Sequence, residues 1–242
     1  MLFDKYEDYL SYEKNFSKHT VSAYLRDVKV FEKFLAQNDC KISNEINYSF
    51  IRQWIVSLSE KRYSKTSINR KIASLKSYFN FLVNIDIIES SPLKGHKNLK
   101  SSSKIVIPFS EDEIMQVFEN FNDSKISDRD KLIIEIFYST GLRREELINI
   151  KIQDIFLKEG LIKILGKRSK ERLIPILPSL SKNLKNFISN NNNSKYLFET
   201  KKLKKISVST VYRLINKYFR LVSSKVKVSP HVLRHTFATH ML

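Results

Sequence analysis

Three short segments in the second half of the chain bring cations to positions where a phosphate could sit. They are Thr140-Gly141-Leu142-Arg143-Arg144-Glu145-Glu146, Gly166-Lys167-Arg168-Ser169-Lys170-Glu171-Arg172 and His231-Val232-Leu233-Arg234-His235. Arg143 follows a glycine at a helix start. His231 and Arg234, three residues apart, share one face of a helix just inside its N-terminus, where free backbone N–H groups also favour an anion. A planar guanidinium can hold two phosphate oxygens at once, so two arginines from distant segments suit a pentacoordinate phosphorane as its charge develops. Lys167, at a β-turn, is placed to reach a leaving oxygen. Glu146, three residues after Arg143, reads either as a carboxylate that orients a neighbour or as an ordinary solvated glutamate. Taken singly, each segment also has a plain reading: a glycine cap beside a surface arginine, a solvated basic hairpin, surface histidines.

The elements that must carry these groups are legible from periodicity and caps. Ser110-Glu111-Asp112-Glu113 has capping-box spacing ahead of the apolar stripe Ile114, Val117, Phe118. A helix from about Arg129 to Ser139 stops before Gly141, and another begins near Leu142. Ile155-Phe156, Leu161 to Leu165 and Arg172 to Leu177 are short β-type runs separated by Gly160 and by the turn 166–170, which predicts a small antiparallel sheet. Helices resume near Leu180 to Ser189 and Val208 to Val222, and Ser229-Pro230 supplies an N-cap followed by proline at the first helical position.

Upstream, residues 1 to 90 read as four amphipathic helices. The pattern is clearest where Val21, Tyr24, Val28, Phe31 and Phe34 or Leu35 recur at three- and four-residue steps behind a Ser17 cap. Their aromatics read as core. Between the two parts the apolar period lapses, and Lys94, Lys97, Lys100 and Lys104 alternate with Gly95 and serines, as a linker does. The expected organisation is a helical domain over 1–93, a basic linker over 94–109 and a mixed domain over 110–242, mainly α with a small antiparallel β-sheet.

Composition narrows the function classes. The 242 residues hold 43 Lys+Arg against 25 Asp+Glu, a net charge of +18, and 42% are hydrophobic. Packed cores are expected rather than disorder. Residues 1 to 95 carry +4 and residues 96 to 242 carry +14, so the second part is the stronger candidate for a polyanion partner. Acidic residues at the start argue against a secretory signal, and no apolar run reaches the ~18 residues of a membrane span. A cytoplasmic protein without membrane attachment is expected. Cys40 is the single cysteine, so neither a disulfide scaffold nor a zinc-finger spacing is available, and no cofactor or metal is expected.

Together and in order, these segments resemble the tyrosine recombinase (phage integrase) family, most closely its Xer-type members. The matching text is Tyr138-Ser139-Thr140-Gly141-Leu142-Arg143 with Glu146, then Leu165-Gly166-Lys167 with Lys170-Glu171-Arg172-Leu173-Ile174-Pro175, then Ser229-Pro230-His231 to His240. The resemblance spans nearly the whole chain and implies an N-terminal four-helix core-binding, SAM-like domain followed by the catalytic domain. It implies that Arg143 and Arg234 bind the scissile phosphate and that Lys167 protonates the leaving 5′ oxygen. His231 would contact the phosphate and assist proton transfer, and Glu146 would orient a partner. The implied chemistry is a metal-free transesterification through a 3′-phosphotyrosyl link, on a double-stranded DNA recombination site held by several protomers, in chromosome dimer resolution or mobile-element integration.

One part of the family's pattern has no counterpart. The second histidine or tryptophan and the tyrosine nucleophile lie some thirty residues beyond the HxxR arginine, whereas eight residues follow Arg234 here. Tyr196, Tyr212 and Tyr218 precede that motif and read as core or DNA-facing surface. His240 comes too early for the second histidine. Residues 1–242 are therefore expected not to cleave DNA alone, and a non-catalytic protein occupying recombination sites is the alternative reading.

Overall fold

The computed structural model describes residues 2–40, 46–101, 105–122, 126–166, 170–191, 194–225 and 227–241. The chain divides into two units, Met1–Ser103 and Lys104–Leu242.

The first unit is helical. Helix α1 (Leu2–Asp8) runs into a π-type turn (Tyr9–Glu13), and α2 (Lys18–Gln37), α3 (Tyr48–Glu60) and α4 (Lys65–Asn84) follow. Ser17, Asn47 and Ser64 cap the last three, each side chain accepting a backbone N–H of the first turn. The stripe on α2 buries Val21, Val28, Phe31 and Leu35, and Trp54 of α3 meets Phe31 edge-on at 5.1 Å. Tyr6 and Tyr9 close over Phe81 of α4 at 5.2 and 5.1 Å. These aromatics form the core. One carboxylate sits among them: Asp27 on α2, fully buried, accepts from Arg70, Lys71 and Ser74 of α4. Removing any of those partners would leave a buried charge short of compensation.

The segment whose composition reads as a linker is packed at both ends. Leu93 is buried in the first core and Leu99 packs against it, while the Asn69 side chain exchanges two hydrogen bonds with the Leu99 backbone, both 2.9 Å. At the other end, Phe109 is buried in the second core and Val106 packs against it. Four apolar side chains thus fasten a stretch that its lysines and serines make look free. No helix of the described residues is long and apolar enough to cross a membrane.

The second unit begins with α5 (Glu111–Glu119), then α6 (Asp128–Thr140) and the short α7 (Arg144–Ile148). Both halves of the capping box are made at α5: Ser110 Oγ accepts from Glu113 N–H at 3.2 Å, and the Glu113 carboxylate accepts from Ser110 N–H at 2.7 Å. Strands β1 (Ile155–Phe156), β2 (Leu161–Leu165) and β3 (Glu171–Pro175) form an antiparallel sheet in chain order. Ile162 faces Ile174, and Ile164 faces Arg172. Helices α8 (Pro178–Ser189), α9 (Val208–Phe219) and α10 (Pro230–His240) complete the described elements. The core gathers Ile133, Ile134, Ile136 and Phe137 of α6, Ile162 and Ile164 of the sheet, and apolar residues of α8 to α10.

Candidate active site

The site is assembled where α6 ends. Gly141 closes α6 in the left-handed conformation, φ 57° and ψ 29°, and gives its N–H to Phe137 O at 3.0 Å. A side chain is excluded there twice: an L-residue is strained at that φ, and a Cβ would overlap the Phe237 ring of α10. The close approach lets Arg234, one turn before Phe237, donate its Nη1 to the Gly141 carbonyl. Two residues later the chain turns into α7 with Arg143 as its N-cap residue.

Glu146, at the third position of α7, accepts the Arg143 N–H on Oε2 at 2.8 Å and Arg143 Nη1 on Oε1 at 2.9 Å. It is buried, its side chain 5% exposed, so it is not the solvated surface glutamate that the sequence also allowed. Arg172 of β3 reaches the same carboxylate with both terminal nitrogens, at 3.0 and 2.8 Å. Burial by itself would raise the Glu146 pKa. The hydrogen bonds from Arg172 and from the Arg143 backbone and side chain, with the Arg172 charge, outweigh it and bring the value down to about 2. Glu146 raises the Arg172 pKa in return. At Arg234 burial and the nearby positive charges of Arg143 and Arg172 lower the pKa, with Glu146 opposing them. Three guanidinium groups and one carboxylate therefore share one electrostatic site with a surplus of positive charge.

Helix α10 is fixed by its own contacts. Ser229 Oγ accepts from Val232 N–H at 3.4 Å and Pro230 occupies the first turn. Thr236 Oγ1 accepts from the N–H of Phe109 at 2.9 Å and donates to Val232 O at 3.0 Å. His240 Nε2 lies 3.1 Å from Phe109 O, and its Nδ1 lies 3.1 Å from the Tyr138 hydroxyl. A carbonyl only accepts, so Nε2 carries a proton, and in the neutral ring Nδ1 then accepts from Tyr138. His240 is thereby a clamp on the start of the second unit.

Of the residues singled out by sequence, Arg143, Glu146 and Arg234 come together. His231 is exposed on the turn before Arg234. Lys167 lies outside the described residues; Gly166 before it gives its N–H to Lys170 O at 2.8 Å, closing the hairpin end. Arg172 was not among the candidates. The one signal for it was its place in the Lys170-Glu171-Arg172 run, two residues past the turn. Tyr218 donates to Asp130 at 3.1 Å, Tyr212 stands exposed on α9 and Tyr196 forms an isolated bridge with Lys151.

Comparison with known proteins bears on the whole chain. The model of the phage integrase family matches residues 107–242, and that of the phage integrase N-terminal SAM-like domain matches residues 3–84. A tyrosine recombinase of Pseudothermotoga lettingae is 36% identical over 246 residues, covering 100% of this chain and 84% of that protein. Tyrosine recombinase XerC of Staphylococcus saprophyticus is 34% identical over 239 residues, covering 96% and 80%. In fold, the chain is similar to XerH site-specific recombinase bound to palindromic difH substrate, with a TM-score of 0.78 at 19% identity over 99% of this chain and 73% of that one. It is also similar to a lambda integrase(75–356) dimer bound to a COC′ core site, with a TM-score of 0.77 at 17% identity over 98% and 87%. A helical SAM-like unit followed by a mixed unit carrying these arginines, and two family models that between them cover most of its length, make this chain a member of the tyrosine recombinase (phage integrase) family of site-specific recombinases.

Proposed function

We propose that the chain binds a double-stranded DNA recombination site together with other recombinase protomers and clamps the scissile phosphate between Arg143 and Arg234. The observation that carries this is that Arg143 and Arg172 meet on a single buried carboxylate while Arg234, held by the Gly141 carbonyl, lies close enough to feel all three charges, which leaves cationic capacity for one further anion. The fold shared with recombinases whose structures hold recombination-site DNA supports the choice of partner. The biological setting is the cytoplasm, in chromosome dimer resolution or mobile-element integration.

In this chemistry a tyrosine hydroxyl oxygen bonds to phosphorus while the bond to the 5′ oxygen breaks. The tyrosine proton leaves by way of His231, and the 5′ oxygen takes a proton from Lys167. A phosphodiester becomes a 3′-phosphotyrosyl ester, so the bond energy is kept for rejoining. The arginines act where charge grows, on the non-bridging oxygens of the phosphorane. Among the described residues the hydroxyls of Tyr138 and Tyr218 already have partners, His240 and Asp130, and neither is assigned the attacking role. The same observation favours a second reading, a protein that occupies recombination sites without cutting them.

The test is selection of bound duplexes from a randomised pool, followed by denaturation of the complex in detergent. The expected result is enrichment of one site and no covalent adduct. An adduct would contradict the assignment of these tyrosines, and a pool with no enriched sequence would contradict site-specific binding.

A further inference from the structure

Glu146 is held from two sides in unequal ways. Arg143 offers its carboxylate partner one guanidinium nitrogen, at 2.9 Å, besides its backbone N–H, and its side chain stays 59% exposed. Arg172 lays a full fork across both oxygens. A carboxylate has about four acceptor sites, and these four contacts fill them. Gly166, just past β2, lies beside the fork. A Cβ on Gly166 would lie 3.0 Å from Arg172 Nη1 and 3.2 Å from Lys170 O, so a side chain there would press on a guanidinium that Glu146 holds in place.

We propose that Arg172 is a positioning residue: by saturating Glu146 it keeps that carboxylate from forking onto Arg143, whose unused guanidinium edge is then free to bind the phosphate. The inference rests on the clamp reading of Arg143 and Arg234. Its physical basis is competition. A bidentate Arg–carboxylate pair is among the strongest neutralising contacts available to an arginine, and a phosphate would have to displace it. With Arg172 gone, a buried carboxylate left with one cation turns wholly to that cation. Charge balance points the same way. Three arginines and one carboxylate leave two positive charges for a phosphorane that carries two negative ones, and loss of Arg172 leaves one. Gly166 supports the arrangement by leaving room for the fork.

The experiment compares binding of the full chain to its selected site with the same site bearing a neutral methylphosphonate at the scissile position. Wild-type chain should prefer the phosphodiester by roughly tenfold or more, the worth of a charge-assisted guanidinium contact. Arg172→Ala should lower that preference to about twofold, and Arg172→Lys, which keeps the charge without the fork, should fall between. The pair Glu146→Gln with Arg172→Met removes competitor and partner together and should return the preference to within about threefold of wild type. Gly166→Ala, which leaves both partners in the chain, should lower it in part and serves where Arg172→Ala does not unfold cooperatively. Full preference in Arg172→Ala would overturn the proposal. So would a paired variant as weak as Arg172→Ala, because Arg172 would then touch the phosphate itself or merely brace the hairpin. A preference lost in Arg143→Ala but intact in Arg172→Ala overturns this inference alone. No preference at any position in any variant overturns the clamp as well.

Discussion

Glu146 is the residue on which the local physics is clearest. Its folded pKa, about 2 against an ordinary 4.5, is lower than in the unfolded chain. The resulting stability is fully present above about pH 4.5 and is lost as pH falls toward 2, an effect of order 3 kcal/mol at most. Urea unfolding of Glu146→Gln should therefore show a lower stability than wild type at pH 6 and a gap that narrows by pH 3. A gap constant with pH would mean that Glu146 is not held by its arginines. Spacing put Glu146 three residues from Arg143 on one helix, and that pairing is local enough to see. Arg172 approaches from a strand 26 residues away, and a strand period fixes which face a side chain takes without naming what lies across the core.

At the scale of elements, α10 is the part that must not drift, because it carries both His231 and Arg234. It is tied to Phe109 by a buried N–H that donates to Thr236 and by a carbonyl that accepts from His240. Thr236→Val keeps the shape and removes the acceptor, leaving that N–H unpaired. The expected cost is about 1–3 kcal/mol, read by thermal unfolding, with a weaker hold on DNA at the scissile phosphate than the stability loss alone produces in a remote core variant. Equal effects on both would show that the latch serves the fold and not the clamp. Helix limits near here follow from side chains that satisfy end groups locally, so Ser110, Ser229 and Gly141 mark them in the sequence. The π-type turn at Tyr9–Glu13 has no such marker; it lies where Tyr6 and Tyr9 meet Phe81 of α4. The packed ends of the basic segment were hidden for a similar reason: Leu93, Leu99, Val106 and Phe109 are spaced too irregularly to register as a periodic face, and their burial is decided by cores formed elsewhere in the chain.

At the scale of the whole molecule, charge and site belong to one account. In the proposed binding mode the +14 of residues 96 to 242 supplies attraction to any duplex, and the arginine cluster is the part proposed to select one phosphate within it. Binding should therefore weaken steeply with salt, with a log–log slope more negative than about −4; a flat response would contradict a phosphate-led interface. The two-unit organisation was legible because each unit has its own apolar period and the charge balance changes between them. The measurement that bears most directly on the clamp is ethylation interference on the selected site with wild-type chain, Arg143→Ala and Arg234→Ala. The account predicts that one phosphate on each strand whose ethylation blocks wild-type binding becomes indifferent in both variants, while the remaining phosphates keep their effect. Unchanged interference in both variants, or losses at two different phosphates, would contradict it.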